Sequence, residues 1–301
     1  MKRPPALGSE FEALIAQVDR KLTDDGVDIP SRPIFAMMEV SKQFDLRMAG
    51  GPQIDPLSPE EKQAQGYTEA IHRWYEENYG KRLNENSSPA CTVVLVDGDL
   101  YTLRIPRLTG EVQFVAMRQW LPNEPIQKTC NVVQLLEEMT SARAERLSDA
   151  ALRAISRAFE TAMSAAYTLT GTDHKLMSIA RGDVAVAVSN LMAVEQRFGE
   201  SRWASLQAAE KIMKAAIDLI GTRFQQTHNL ASLRDQLSGA GIKFDAEPQL
   251  TALQCWPDIR YGKSASTREQ ALLAHHSSLE LVNILREAGA PFNISIGGLK
   301  N

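Results

Sequence analysis

An acidic residue stands inside an apolar stripe on a predicted helix in the second half of the chain. At helical spacing, Glu210 shares the stripe with six apolar residues, Leu206, Ala209, Met213, Ala216, Ile217 and Ile220. A buried carboxylate without a partner is costly and tends to take up a proton. Lys214, four residues further on, is the nearest cation that could pair with it. Glu210 is therefore a candidate for either structural or functional pairing.

Two interpretations of Glu210 follow from this placement. In the structural one, an ion pair ties the helix to Arg260 or to another neighbouring base. In the functional one, Glu210, Lys211 and Lys214 lie at a polar cleft that docks a nucleotide phosphate or an acidic group of a partner. The sequence alone leaves both interpretations open.

Three further residues have the same two interpretations. Asp183, on the preceding predicted helix, either caps or pairs locally, or faces the cleft. Arg260 and Tyr261 lie in a predicted loop, from which a guanidinium and a phenol could face the cleft between helices. Alternatively, Tyr261 packs and Arg260 pairs with Glu210 or Asp183. We include all three among the candidate nucleotide-binding or partner-binding residues.

These residues need helices to position them, and the pattern predicts four helices between residues 174 and 289. Glycine is frequent just after a helix end, and Gly199, Gly221, Gly239 and Gly289 stand at the expected ends. An antiparallel bundle with one longer excursion at 240–266 is the simplest packing. The predicted helices cover 174–198, 202–220, 228–238 and 267–288.

Four segments in this region follow one another in the order SIARGDVAVAVSNLM, RWASLQAAEKIMKAAIDLIG, THNLASLRDQL and DIRYGKSASTREQALLAHHSSLELVNIL. Together they are similar to the HEPN superfamily, over about residues 172–292. That family has an Asp-led first helix, a Gln-Ala-Ala-Glu-Lys-x-x-Lys-Ala segment, a His-x-Leu-x-x-Leu helix start and an Arg-Tyr pair. Here these features are Asp183, Gln207 to Ala215, His228 to Leu233, and Arg260-Tyr261.

The resemblance also implies a chemistry, because HEPN ribonucleases carry an Arg followed four to six residues later by a His. Arg223 and His228 have this spacing. His228 would act as general base or acid, and Arg223 would stabilise charge on the phosphate, without a metal ion. Phe224, however, stands where the family prefers a polar residue, and the His-x-Leu-x-x-Leu start also occurs in members that lack the ribonuclease motif. An endoribonuclease and a module that only binds therefore both remain open.

Before residue 172 the pattern is mixed. The β-rich runs beside Asp97-Gly98-Asp99 predict a hairpin, with a third strand plausible after it, and Asp-Gly here is a turn former before it is a metal ligand. Helices are expected at 9–22 and from 59 to about 79, and prolines between 30 and 59 predict an irregular connection. Two more helices are expected between 131 and 170.

We therefore expect a mainly α protein in which an N-terminal α+β domain, with a small β-hairpin or three-stranded sheet, precedes a HEPN-like antiparallel helical bundle. The predicted domains are 1–130, of unknown role, a helical connector at 131–171, the bundle at 172–292, and a tail at 293–301. The N-terminal domain is a candidate for binding a protein partner. The resemblance implies a homodimer and a place in a toxin-antitoxin or other bacterial defence system.

Charge and composition restrict the partners. The chain has 33 Lys and Arg against 37 Asp and Glu, and residues 172–292 contain 13 of each kind, so neither predicts a general RNA-binding surface. The three cysteines are widely separated and predict neither a disulfide framework nor a zinc site. We expect no metal and no cofactor. No stretch approaches the about 18 apolar residues of a membrane span, which predicts a cytoplasmic protein without a membrane partner.

Overall fold

The chain is mainly α-helical with a small β region, which confirms the fold class predicted from the sequence. A computed structural model describes residues 4–46, 58–84, 90–107, 112–122 and 129–294. No helix within those ranges has the length and apolar character needed to cross a membrane. The chain divides into two compact units, unit 1 with residues 1–87 and 123–127 and unit 2 with residues 88–122 and 128–301.

The described part of unit 1 is a small helical assembly. It contains the helices α1 (Ser9–Asp24), α2 (Arg32–Phe44) and α3 (Pro59–Tyr79), with 3-10 helices at Ile29–Ser31 and Gly80–Asn84. Each α-helix buries one apolar stripe, and the shared core includes Phe11, Ile15, Val40, Ile71 and Tyr75. Asp19 forms a polar cluster beside this core. Its carboxylate accepts a hydrogen bond from the Tyr79 hydroxyl at 2.5 Å and lies 3.5 Å from Arg32.

The β region belongs to unit 2. Strands β1 (Ala90–Val96) and β2 (Asp99–Ile105) form an antiparallel hairpin, while β3 (Gln113–Val115) pairs in parallel with β4 (Thr129–Asn131). At the hairpin turn, Asp97 and Gly98 have φ angles of 48° and 98°, a left-handed conformation that an Asp-Gly pair tolerates. The hairpin predicted at this turn is thus confirmed, whereas the strand after Gly110 pairs with β4 rather than joining the hairpin.

Helices make up the rest of unit 2. Helix α6 runs antiparallel to α7, since Ser201 near the start of α7 donates to the carbonyl of Ala187 near the end of α6 at 2.9 Å. The elements in chain order are a 3-10 helix (Val132–Leu135), α4 (Ser141–Ala144), α5 (Asp149–Gly171), α6 (Lys175–Leu191), α7 (Phe198–Leu219), α8 (Leu230–Gly239), α9 (Glu247–Leu253), a second 3-10 helix (Pro257–Tyr261) and α10 (Arg268–Glu287).

The hairpin packs against this helical part. The ring of His275 on α10 lies 2.9 Å from the Thr92 hydroxyl, and His276 donates to the carbonyl of Val93 at 2.7 Å. His275 is fully buried, and this burial lowers its pKa to about 3, so the ring stays neutral near pH 7. These contacts explain why β1 and β2 fall in the same unit as α10.

The compact units therefore differ from the domains predicted at 1–130, 131–171 and 172–292. The division lies near residue 87, because the hairpin makes its core with α5, α6 and α10. Of the predicted tail at 293–301, residues 295–301 lie outside the described residues. The segment 131–147, predicted to be helical, contains the last residue of β4, a 3-10 helix and the short α4. A continuous helix is interrupted because Glu137 donates its backbone N–H to the carbonyl of Thr102 at 2.8 Å and Glu138 has a left-handed φ of 61°.

Gly199 has a different role from the helix stop predicted for it. The preceding helix α6 ends at Leu191, and Gly199 lies in the first turn of α7. A Cβ atom at position 199 would overlap the backbone carbonyl oxygen of Ile259, in the 3-10 helix that also carries Arg260. The missing side chain therefore lets this 3-10 helix lie directly against α7.

We expect Gly199→Ala to lower the free energy of unfolding by about 1–3 kcal/mol, because the backbone of residue 259 cannot move aside as a flexible side chain could. Gly182→Ala is the matched control, since Gly182 is exposed on α6 with open space around it. That change should stabilise by about 0.5–1 kcal/mol. Urea unfolding of both variants checks this, and equal effects of the two changes would contradict the assigned contact.

Candidate functional site

One face of α7 gathers most of the residues selected from the sequence. Residues three or four positions apart share a face of a helix, and neighbouring residues on that face can both point toward it. The residues of α7 with this spacing are Trp203, Gln207, Glu210, Lys211 and Lys214. We call these five residues the α7 strip. Side chains from α6, from the segment before α8 and from the second 3-10 helix contact it.

Glu210 is the centre of this strip and is almost completely buried, with 6% of its surface exposed. Lys214 donates to one carboxylate oxygen at 2.6 Å, and His228 donates to the other at 2.5 Å through Nδ1. The side chain of Gln207 adds a longer contact at 3.3 Å. Charged hydrogen bonds of this kind offset the cost of burying a carboxylate. Arg260, named above as a possible partner of Glu210, is not among these contacts.

His228, unlike Glu210, is largely exposed to solvent, although one of its ring nitrogens is bonded to that buried carboxylate. Its side chain is 66% exposed, against 7% for that of Glu210. A carboxylate only accepts hydrogen bonds, so Nδ1 must carry the proton that lies between the two groups. In the neutral ring, Nε2 is then a free acceptor. Asn229, the next residue, caps α8 through its side chain and fixes the local backbone.

A second ion pair joins the strip to α6. Lys211 lies 2.7 Å from Asp183, and both side chains are partly buried. Lys211 also donates to the side-chain oxygen of Gln207 at 3.3 Å, which links the two ion pairs through one amide. Asp183 therefore pairs locally with α7, as its structural interpretation proposed, and it neutralises one of the two lysines of the strip.

Aromatic rings and a guanidinium meet at the other end of the strip. Arg260 lies over the ring of Trp203 at 5.4 Å and over that of Tyr261 at 5.7 Å. The Trp203 ring is 6.2 Å from that of His228, and 68% of Tyr261 is exposed. Trp203 was not selected from the sequence, and its only local signal is that it lies seven residues before Glu210 on the same helical face.

Arg223 does not join this group. Its carbonyl accepts a hydrogen bond from Gln236 at 2.7 Å, and its exposed side chain forms no ion pair within the described ranges. No described contact joins it to His228. Phe224, the next residue, packs instead against the strip, with Lys214 5.5 Å from the centre of its ring. The apolar residue after Arg223 thus covers the buried Lys214–Glu210 pair.

The geometry of the site supports hydrogen bonding, stacking and proton transfer. Among the described residues, no cluster of three His, Cys, Asp or Glu could hold a metal ion. Cys91, Cys130 and Cys255 are free thiols, and burial raises the pKa of each, which disfavours the nucleophilic thiolate. The exposed Nε2 of His228 is the group of the site best placed to exchange a proton.

Comparison with known proteins does not assign this site. No protein family, no curated protein and no solved structure matches the chain. The resemblance to the HEPN superfamily noted in the sequence therefore stays a prediction, and any function has to be inferred from the residues themselves.

We expect Lys214→Met to lower the free energy of unfolding by about 3–5 kcal/mol, because it leaves the buried carboxylate of Glu210 without its closest cation. Lys211→Met should cost less than Lys214→Met, because the side chains of Lys211 and Asp183 are 18% and 25% exposed, whereas those of Lys214 and Glu210 are 8% and 7% exposed. Chemical denaturation of the two variants makes the comparison. Similar losses for both would show that Glu210 does not depend on Lys214.

Proposed function

We propose that this protein binds single-stranded RNA or a nucleotide with the face of unit 2 formed by the α7 strip, His228, Arg260 and Tyr261. The observation that supports this most is the arrangement of Arg260 against the rings of Trp203 and Tyr261. Proteins that bind single-stranded nucleic acid combine aromatic faces, on which bases stack, with nearby cations. The exposed ring of Tyr261 offers such a face to solvent.

The charges of the site favour stacking over extensive phosphate contacts. Lys211 and Lys214 are both neutralised by carboxylates, which leaves Arg260 as the cation of this face without an ion pair to a described residue. For single strands, the slope of log affinity against log salt is about −0.7 for each phosphate neutralised. One arginine therefore corresponds to a shallow slope of about −0.7.

The proposal also includes the domain family, the biological system and the oligomeric state that the resemblance to the HEPN superfamily implies. The helices of unit 2 that contain the strip would be a HEPN domain in a cytoplasmic protein of a bacterial defence or toxin-antitoxin system. The protein would act as a homodimer. The helical unit 1 would bind a protein partner, and RNA or nucleotide binding would remain with unit 2.

A binding titration with a short, fluorescein-labelled single-stranded RNA tests the site. We expect Tyr261→Ala to weaken binding by about 1–3 kcal/mol, because it removes a stacking face, and Arg260→Ala to weaken it and flatten the salt slope. Tyr261→Phe keeps the ring and should bind as the unchanged protein does.

Trp120→Ala, which removes a partly exposed aromatic side chain elsewhere in the chain, serves as the control for non-specific stacking. Undetectable RNA binding by the unchanged protein, or equal losses for Tyr261→Ala and Trp120→Ala, would contradict the proposal.

A metal-independent endoribonuclease is the second candidate, and the Glu210–His228 pair favours it. A buried carboxylate that holds one ring nitrogen leaves the other poised to take a proton. The ribose 2′-hydroxyl would attack the adjacent phosphorus while Nε2 of His228 accepts its proton. The bond from phosphorus to the next 5′-oxygen would break, and that oxygen would take a proton from water. Arg223, which is exposed, would have to approach the phosphate from the segment between α7 and α8.

Incubation of the protein with mixed RNA in EDTA separates the two candidates. A nuclease would produce fragments ending in 2′,3′-cyclic phosphate, and His228→Ala would abolish them, whereas a binding module would leave the RNA intact. Arg223→Ala adds a second comparison. If the protein is a nuclease that uses Arg223, this variant should cleave RNA more slowly while its free energy of unfolding stays unchanged. Fragments that persist in His228→Ala would eliminate this mechanism.

A further inference from the structure

A pocket of about 430 Å³ opens between β1, α5 and α10, and it shares no residue with the α7 strip. Its volume lies within the range of about 300–1,000 Å³ that is typical of small-molecule sites. Much of its wall is apolar and comes from all three elements, namely Val94, Leu95, Ala154, Ala158, Leu272 and Leu279. Such a wall favours a ligand with an apolar body.

Two opposite charges line the same pocket from different helices. Arg157 of α5 is exposed and makes no ion pair with any described residue. Glu280 of α10 is half-buried, and the side-chain amide of Gln249 on α9 donates to one of its oxygens at 2.9 Å. That bond holds the carboxylate in place, while its other oxygen has no donor among the described side chains and remains available to a ligand.

His276 adds a hydrogen-bond acceptor whose tautomer is determined by the fold. Its Nε2 lies 2.7 Å from the carbonyl oxygen of Val93, which can only accept, so Nε2 carries a proton. In the neutral ring, Nδ1 is then an acceptor. The pocket therefore combines one guanidinium, one carboxylate and one imidazole acceptor with an apolar wall.

We propose that this pocket binds a small zwitterion of the amino-acid type, an apolar amino acid or dipeptide. The ligand's carboxylate pairs with Arg157, its ammonium group with Glu280 and the His276 acceptor, and its apolar side chain lies on the wall. Guanidinium and carboxylate groups bind each other in a planar, bidentate geometry. A dipeptide brings two side chains to the apolar wall, so it should bind more tightly than a single amino acid.

The test measures the unfolding temperature of the full chain with added L-phenylalanine, L-leucine or the dipeptide Leu-Phe, followed by calorimetric titration. The dipeptide should raise the unfolding temperature most, because binding to the folded state stabilises it. N-acetyl-Leu-Phe and Leu-Phe amide each lack one charge and should bind at least about tenfold more weakly. Blocked ligands that bind as tightly as the free dipeptide would overturn the proposal.

Variants then assign the two charges. Each variant should weaken binding of Leu-Phe about tenfold or more. In Glu280→Gln, amidation of the ligand should still weaken binding, whereas acetylation should no longer do so. In Arg157→Gln, acetylation should still weaken binding, whereas amidation should no longer do so. Arg153→Gln, at an exposed position of the same helix outside the pocket lining, is the matched control and should change nothing. If none of the three ligands stabilises the chain, or if the two pocket variants bind as Arg153→Gln does, the proposal is wrong.

Discussion

The organisation of the candidate site depends on a single carboxylate that is buried in α7. Glu210 lies among apolar residues of the helical core, where an unpaired negative charge would be far more costly than in water. The chain meets this cost with Lys214 one turn further along the same helix and with His228 from the segment before α8. Because the two donors come from different parts of the chain, the carboxylate also fixes where that segment lies.

The consequences extend along the helix in both directions. Phe224 covers Lys214 at one end, and Trp203 lies beside His228 at the other, where Arg260 and Tyr261 continue the row. The close packing of the second 3-10 helix on Gly199 brings Arg260 within reach of Trp203. A buried ion pair is weak evidence for stability as such, but it can select one arrangement of the surrounding groups. Here it presents one ring nitrogen of His228 to solvent.

Local patterns predicted most of the helices and the hairpin turn, because apolar spacing and the Asp97-Gly98 pair act over a few residues. Helix α2 replaces part of the irregular connection expected between residues 30 and 59, because proline is tolerated in a first helical turn, where Pro33 lies. The placement of the hairpin was missed for another reason. Its contact between Thr92 and His275 joins residues 183 positions apart, and no local pattern reports such a pairing.

The site was predictable to a similar degree. The expected pairing of Glu210 with Lys214 follows from their i,i+4 spacing, and the structure has it at 2.6 Å. The partnership of His228 with Glu210 and that of Arg260 with Trp203 depend on how separate elements pack, so the sequence offered several partners and did not select one. No described contact joins Arg223 to His228, and the carbonyl of Arg223 accepts a hydrogen bond from Gln236 of α8.

The central claim is that buried Glu210 orients the exposed ring of His228, and nitrogen-15 NMR of the histidine rings tests it most directly. Near neutral pH, the account predicts that neutral His228 is protonated on Nδ1, with Nε2 free, and that Glu210→Gln changes this tautomer balance. A ring protonated mainly on Nε2, or one that Glu210→Gln leaves unchanged, would contradict the account.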